Sequence, residues 1–520
     1  MSLSRNMIMP KSLGLATLLA AILIAPACTD LTEVPRSSIT PENFYRNEDE
    51  VIGGLASVYA QLRSTTDEAY NITEISTDEM IVPTRGQDWY DNGKWLDIHR
   101  QTFTPNSPAG LDNINSAFVN LFTGVARANV VLNGIENVNF ANKSTVVAEL
   151  RALRAFYYYD LMDLFGGVPI VEDVAIQPRE ANTRAEVFQY IESELNAIRA
   201  DLPVSWPAEM NGRLTRGAAD AMLASLYLNS EVFTGTVSAT GLAKGTPRWQ
   251  DAITAADRVL TSGQYSLANP WRLNFTANNN TSPEIIFAVK FVAVPDIGNN
   301  FLMRAIHYNQ YEGGETPWNG FATLADTYNA FDANDIRKQI FLAGPQLNLA
   351  TGLPINDRAG KPLVYDPNIP DVTQADEAAG VRIAKWPLDP NHVARNNGND
   401  YAFFRLAEMY LIKAEAQNEL GDPATAAATI NTTTRARAFP TSPKPIPLNL
   451  TQAQMRDTIL QERLFEFTAE GKRRQDLIRA NKYTQGTWYA KTENKPYKVL
   501  FPIPQIQIDN NPLLKQNPGY

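Results

Sequence analysis

Two segments place large aromatic side chains among small polar residues, where no helical or strand periodicity would bury them. They are DWYDNGKW, which begins at residue 88, and HYNQYEGGETPWNG, which begins at residue 307. A flat ring exposed in a polar loop can stack on the apolar C–H face of a sugar, while nearby polar side chains bond its hydroxyl groups. The alternative is that each ring only anchors its loop to the scaffold. The candidate ligand-binding residues are Trp89, Tyr90, Trp95, Tyr308, Tyr311 and Trp318.

No arrangement of residues in the sequence indicates catalysis, and we single out no catalytic residue. The three histidines, His99, His307 and His392, are far apart, and none has a second His or Cys at metal-ligand spacing. We therefore predict no metal site and no cofactor. The nucleophile, nucleotide and zinc-protease motifs are absent from the sequence. A surface glycoside hydrolase stays open as an alternative, because it needs only two carboxylates in one cleft.

The only cysteine, Cys28, ends an apolar run that follows Arg5 and Lys11. A basic start, a short apolar middle and small residues before a cleavage point are typical of a bacterial secretory signal. We predict that residues 1–27 are a lipoprotein signal peptide and that Cys28 is lipidated. Residues 28–45, which are rich in proline and polar side chains, are then a tether. The alternative is an ordinary secreted protein in which the cysteine falls there by chance.

The composition suits a globular body with a large core and argues against nucleic acid as a partner. Hydrophobic residues make up 44% of the chain, and 46 Lys and Arg face 56 Asp and Glu, which gives a formal net charge of −10. An acidic protein repels a phosphate backbone.

Several segments carry an apolar stripe with the 3.6-residue period of a helix. One such stripe consists of Leu150, Leu153, Tyr157, Leu161 and Leu164. The stripes occur in pairs separated by Gly or Gly-Asp turns, as in tetratricopeptide hairpins. One hairpin is predicted to join helices 403–420 and 423–438 through Gly421 and Asp422.

The interval 269–398 has a different character, being rich in Gly, Pro, Asn and Asp with short strand-like runs. A long irregular insertion on a helical scaffold is usually functional. We predict a mainly α fold of about four tetratricopeptide-like helical hairpins, with a large irregular, loop-rich ligand-binding region that contains short strands. Residues 46–520 are predicted to form a single body.

Five segments, in order along the chain, resemble the SusD/RagB-type outer-membrane lipoproteins of the Bacteroidetes. They are RALRAFYYYDLMDLFGGVPIV (151–171), GRLTRGAADAMLASLYLN (212–229), FFRLAEMYLIKAEAQNELGD (403–422), ERLFEFTAEGKRRQDLIR (462–479) and LFPIPQIQIDNNPLLKQNPGY (500–520). Together with the signal-like start they extend over essentially the whole chain after residue 28.

The resemblance implies a cell-surface lipoprotein that is a binder and not an enzyme. Such a protein binds glycans or oligosaccharides and delivers them to a SusC-like TonB-dependent β-barrel transporter in the outer membrane. Peptide import of the RagB type is the alternative within the family. Trp318 lies where an aromatic residue of the starch-binding members is expected. The spacing within DWYDNGKW differs from theirs, so the resemblance does not single out starch as the ligand.

The lipid anchor has a direct test. Mass spectrometry of protein extracted from membranes should show acylation at Cys28. Cys28→Ala should release a folded protein into the soluble fraction, because the tether contributes no core. Unmodified soluble wild-type protein that begins at another residue would contradict the prediction.

Overall fold

The computed structural model describes residues 45–311 and 315–520, so the predicted signal peptide, Cys28 and the tether up to residue 44 lie outside the described residues. The helices of the first half are α1 (Glu48–Gln61), α2 (Glu68–Ile75), α3 (Lys94–His99), α4 (Asn115–Gly134), α5 (Lys143–Phe165), α6 (Arg184–Ile198), α7 (Arg216–Leu228), α8 (Ser230–Phe233) and α9 (Trp249–Leu260). Those of the second half are α10 (Phe301–Ala305), α11 (Ala325–Ala330), α12 (Leu406–Glu419), α13 (Pro423–Asn431), α14 (Thr434–Ala438), α15 (Gln452–Phe467), α16 (Arg473–Arg479) and α17 (Gln505–Asn510).

The strands are short and pair two by two, always antiparallel. They are β1 (Met80–Ile81), β2 (Thr236–Ser238), β3 (Gly241–Ala243), β4 (Ile285–Val289), β5 (Ala322–Thr323), β6 (Phe341–Leu342), β7 (Gly344–Pro345), β8 (Val364–Tyr365), β9 (Arg382–Ile383) and β10 (Tyr401–Arg405). The pairs are β1 with β5, β2 with β3, β4 with β10, β6 with β9 and β7 with β8.

Helix packing confirms the predicted mainly α fold with helical hairpins. The long helices pack in neighbouring pairs, α4 on α5, α5 on α6, α7 on α9, and α12 on α13. Two helices can pack closely only where the residues between them are small. The ring of Tyr157 on α5 lies directly against Gly124 of α4, where a side chain would overlap the ring. Between α9 and β10, no described helix is longer than six residues. The short strands of this region agree with the predicted irregular part of the fold.

The α12–α13 turn is formed as the sequence predicts. Gly421 has φ +91°, a left-handed conformation in which glycine carries no steric penalty. The Asp422 side chain accepts a hydrogen bond of 3.0 Å from the Thr425 amide and so caps α13. Leu411 and Ile430 are fully buried in the core between α12, α13 and α15.

Two predicted helix boundaries are wrong. The first hairpin helix begins at Leu406 and not at residue 403, because residues 401–405 pair with β4. The second ends at Asn431, since the hydroxyls of Thr432 and Thr433 bond back to the carbonyls four residues earlier and the chain turns before α14. The chain also leaves the helical conformation between α15, which ends at Phe467, and α16, which begins at Arg473.

That last interruption coincides with a buried ion network that joins the helices to the irregular region. Glu466 accepts hydrogen bonds from Arg337 at 3.0 Å and from Arg405 and Arg437 at 2.6 Å each. Just beyond the end of α15, Glu470 pairs with Arg405 and Lys385. The cationic members are Arg337, Lys385, Arg405, Arg435 and Arg437, and the acidic members are Glu284, Asp335, Glu462, Glu466 and Glu470. We call this set the Glu466 network.

The Glu466 network is balanced in charge, which lets its members remain ionised away from water. Burial alone would raise the pKa of Glu466, but Arg437, Arg405 and Arg337 hold that pKa well below its ordinary value. Burial alone would lower the pKa of Arg405 and of Arg337, but the acidic members of the network raise both pKa values well above the ordinary value. Removing one partner of such a network leaves a buried charge uncompensated.

The hairpin core offers a matched pair of substitutions. Leu411→Ala should lower the free energy of unfolding by about 2–5 kcal/mol, because it opens a cavity at a fully buried site. Leu420→Ala, at a position of the same hairpin that is 52% exposed, should change it by less than about 0.5 kcal/mol. Chemical denaturation followed by circular dichroism measures both. Equal effects of the two substitutions would contradict the assigned packing.

Candidate functional site

The two aromatic segments are brought together by a small sheet made of two two-residue strands. In the β1–β5 pair, Met80 lies opposite Thr323 and Ile81 opposite Ala322. The first segment follows β1 along the chain and the second precedes β5. Because the strands are antiparallel, both segments leave the same end of the ladder.

A direct hydrogen bond joins the segments. The indole Nε1 of Trp89 donates to the backbone carbonyl of Trp318 at 2.6 Å. The Trp89 ring makes edge-to-face contacts with Trp95 at 5.4 Å and with Phe321 at 5.6 Å between centroids. It also lies against Gly320, where a Cβ atom would overlap the ring. Trp89 is therefore held in one position by both loops.

A second link runs through Asp88. The Tyr308 hydroxyl donates to the Asp88 carboxylate at 2.6 Å, and Arg358 pairs with the same carboxylate at 2.9 Å. The Arg358 guanidinium also lies over the Tyr308 ring, 4.0 Å from its centroid, and pairs with Glu377. Burial and the neighbouring Asp88 raise the pKa of Tyr308, so the phenol stays protonated and donates.

His307 completes this polar group. The Asn309 amide donates to its Nδ1, so the proton of the neutral ring is on Nε2, which donates to Glu377 at 2.9 Å. Burial lowers the pKa of His307 and keeps the ring neutral near pH 7. Burial alone would raise the pKa of Glu377, but its bonds to Arg358 and His307 lower it.

The candidate residues differ in exposure. Tyr90 is 56% exposed, whereas Trp89, Tyr308 and Trp318 are partly buried. We call these four residues the aromatic cluster; each retains surface that a ligand can contact.

Trp95 and Tyr311 are buried, so the prediction that their rings are available to a ligand is wrong. Trp95 is 6% exposed because it lies in the first turn of α3, packs into the main core and donates to Asp91 at 2.7 Å. Tyr311 is 3% exposed, packs with Met303 and bonds to His392. For these two rings, the anchoring alternative fits the structure.

The backbone around Tyr90 is strained. Trp89, Asp91 and Asn92 have φ values of +63°, +36° and +57°, which are uncommon for residues with a side chain. Each such residue costs about 1–3 kcal/mol, and persists only where its surroundings enforce it. Here the enforcing contacts are those of the Trp89 ring and the reciprocal backbone bonds of 2.9 and 3.0 Å between Arg85 and Asp88. Tyr90 is thereby presented at the surface of a fixed turn.

Sequence reasoning missed the buried residues beneath the cluster. Arg85 donates to the Asn319 carbonyl at 2.8 Å and to the Ala379 carbonyl at 2.9 Å. Arg382 donates to the Asn319 side chain at 2.7 Å and to the Glu377 carbonyl at 2.7 Å. Burial and the neighbouring Arg382 lower the pKa of Arg85. No spacing in the sequence marks these arginines, because most of their partners are backbone carbonyls.

The arrangement suits binding by stacking and hydrogen bonding. Aromatic faces beside carboxylate and guanidinium groups match the apolar face and hydroxyl rim of a sugar. Within the described residues, no three His, Cys, Asp or Glu side chains are grouped so as to hold a metal ion.

Comparisons with known proteins fit this architecture. A family model described as "SusD family" matches residues 262–520, and one described as "Starch-binding associating with outer membrane" matches residues 42–228. "SusD-like protein P25" of Formosa agariphila is 25% identical, over 94% of this chain and 96% of its own length. "Starch-binding protein SusD" of Bacteroides thetaiotaomicron is 28% identical, over 87% of this chain and 85% of its own length.

Among solved structures, the fold is shared with "Surface glycan-binding protein A from Bacteroides thetaiotaomicron in complex with laminarihexaose". The TM-score is 0.70 at 20% identity, over 91% of this chain and all of that one.

The contact between Gly320 and Trp89 can be tested by adding one methyl group. Gly320→Ala should lower the free energy of unfolding by about 1–3 kcal/mol, because the methyl group overlaps the Trp89 ring. Gly53→Ala on α1, where a Cβ meets nothing within 4 Å, should leave stability unchanged or raise it by up to about 1 kcal/mol. Denaturation curves compare the two. If Gly320→Ala is as stable as Gly53→Ala, Trp89 does not hold the position described.

Proposed function

This chain belongs to the SusD family, and we propose that it binds glycans at the bacterial cell surface and passes them on chemically unchanged. The observation that carries the proposal is the aromatic cluster, in which Tyr90 stands exposed beside partly buried Trp89, Tyr308 and Trp318. Asp88 and Arg358 border it with hydrogen-bonding groups.

Fixed loops favour binding. A site whose loops are already ordered loses little conformational entropy when a ligand arrives. Trp89 and Tyr308 are both tied to groups on the opposite loop, by bonds of 2.6 Å each. An oligosaccharide, which is itself flexible, therefore meets a surface that needs little rearrangement.

The proposed partner is a SusC-like TonB-dependent β-barrel transporter, and the proposed anchor is lipid on Cys28 in the outer membrane. Family membership supports both. No helix of the described residues is long and apolar enough to cross a bilayer. The lipid on Cys28 supplies the attachment to the membrane, since several acyl chains hold a protein firmly.

Substitutions of single rings test the proposal. Tyr90→Ala and Trp318→Ala should each weaken glycan binding about tenfold or more, equivalent to about 1.4 kcal/mol, because each removes a stacking surface. The melting temperature should change little, since Tyr90 is exposed and the backbone bonds of Trp318 remain. Trp249→Ala, which removes a partly buried ring from α9, should leave affinity unchanged.

The measurement is retardation in gels that contain starch, laminarin, xylan, pectin or mucin, followed by calorimetry on the polysaccharide that binds. Trp95→Ala serves as the stability control, because its ring is buried and its loss should lower the melting temperature strongly. Unchanged affinity in both Tyr90→Ala and Trp318→Ala would refute the assigned site. New reducing ends would favour a glycoside hydrolase, and binding of peptides alone would favour the RagB-type alternative.

A further inference from the structure

A cavity of about 300 Å³ lies where the segment after α1 meets the irregular region. We call it the arginine cavity, and the side chains that define it are Arg63, Asp67, Phe291, Phe301, Arg304 and Arg395.

One wall of the arginine cavity is rigid. The Arg304 side chain is buried and donates to the side-chain oxygens of Asp67, Asn71 and Asn300 at 2.7, 3.1 and 2.8 Å. Its guanidinium also lies over the Phe301 ring, 4.9 Å from the centroid. Arg304 has its hydrogen-bonding partners inside the protein and holds the shape of the cavity.

Arg63 is different from Arg304. Its guanidinium is partly buried, yet it forms no hydrogen bond or ion pair with any described residue. Burial lowers the pKa of Arg63, and no neighbouring acid offsets this effect. A partly desolvated cation without a partner is costly, and an anion that entered the cavity would remove that cost.

The charges of the cavity leave room for such an anion. Among its lining residues, the three arginines face two acids, Asp67 and Asp296. Asp67 forms an ion pair with Arg304, and Asp296 is exposed to solvent. Arg395 makes a single bond of 3.3 Å, to Glu315. Of the three arginines, Arg63 is therefore the one that no carboxylate of the described residues neutralises.

We propose that the arginine cavity binds an oxyanion group carried by a glycan, a carboxylate or a sulfate, with Arg63 as its ion-pairing residue. The planar fork of a guanidinium matches two oxygens of such a group. Phe291 and Phe301 also line the cavity, but each ring is only 9% exposed, so recognition rests on the charge of the group. The ligand class is therefore an acidic saccharide, and this inference rests on the proposed glycan-binding function.

The cavity and the aromatic cluster are built on the same stretch of chain. The Arg304 carbonyl accepts hydrogen bonds from the amides of Gly320 and Phe321 at 2.8 and 3.0 Å. The Met303 carbonyl accepts one from the amide of Trp318 at 2.8 Å. The cavity wall and the aromatic loop are thus fixed to each other by backbone bonds.

Calorimetry with matched saccharides tests the inference. The probes are trigalacturonate, a chondroitin sulfate tetrasaccharide, neutral maltotriose and sodium sulfate. The wild type should bind at least one acidic saccharide at least tenfold more tightly than maltotriose, and this preference should weaken with added salt.

Arg63→Gln should abolish the preference, and Arg63→Lys should retain part of it, because lysine keeps the charge but loses the fork. Arg127→Gln, at an exposed arginine of α4, should leave the preference intact. Circular dichroism confirms that each variant is folded.

Each other outcome overturns the inference. Acidic saccharides that bind no more tightly than maltotriose, or a preference that survives in Arg63→Gln, would remove Arg63 from the site. Binding of sulfate but of neither acidic saccharide would make the cavity a site for free oxyanions only. Failure of this inference is separate from failure of the proposed function, because the Tyr90 and Trp318 variants are measured on polysaccharides without reference to charge.

Discussion

Glu466 accepts hydrogen bonds from Trp271, Arg337, Arg405 and Arg437, which come from widely separated parts of the chain, and the arrangement of the irregular region depends on these bonds. That region has few backbone hydrogen bonds between strands, because its strands have only two to five residues. Its segments are instead fixed to the helices by charged side chains that are nearly inaccessible to water. A buried pair of this kind contributes little net stability compared with an apolar replacement, but losing one partner is expensive. The network therefore specifies one arrangement more than it adds stability.

Buried charged side chains also fix the loops beneath the aromatic cluster. Loops that lack secondary structure must still satisfy their buried carbonyl groups. Arg85 and Arg382 do this for residues 319 and 376–380, and each guanidinium reaches several carbonyls that no strand would bond. Two cations lie close together without a carboxylate between them, and burial lowers the pKa of both. Backbone dipoles take the place of counter-ions at this point of the fold.

The loops fixed in this way surround two environments of different character. Around Tyr308, each carboxylate has a hydrogen-bonding partner: Asp88 and Glu377 both bond Arg358, and Glu377 also bonds the neutral His307. Side chains held in this way offer hydrogen bonds to uncharged hydroxyl groups. At Arg63, by contrast, a guanidinium has no partner among the described residues. Polar contacts in one site and charge in the other would allow a single saccharide to be recognised by two different properties.

Local patterns in the sequence determined the fold class, since the 3.6-residue stripes and the turn at Gly421 and Asp422 depend on residues within a few positions of each other. Local patterns also identified the aromatic segments, but not which rings remain exposed. Trp95 and Tyr311 look like Tyr90 in the sequence, and only packing into the main core, for Trp95, and against Met303, for Tyr311, buries them. The start of α12 at Leu406 likewise depends on the pairing of residues 401–405 with β4. Ion pairs and cavities join residues hundreds of positions apart, so Arg63, Arg85 and the Glu466 network were decided by tertiary structure alone.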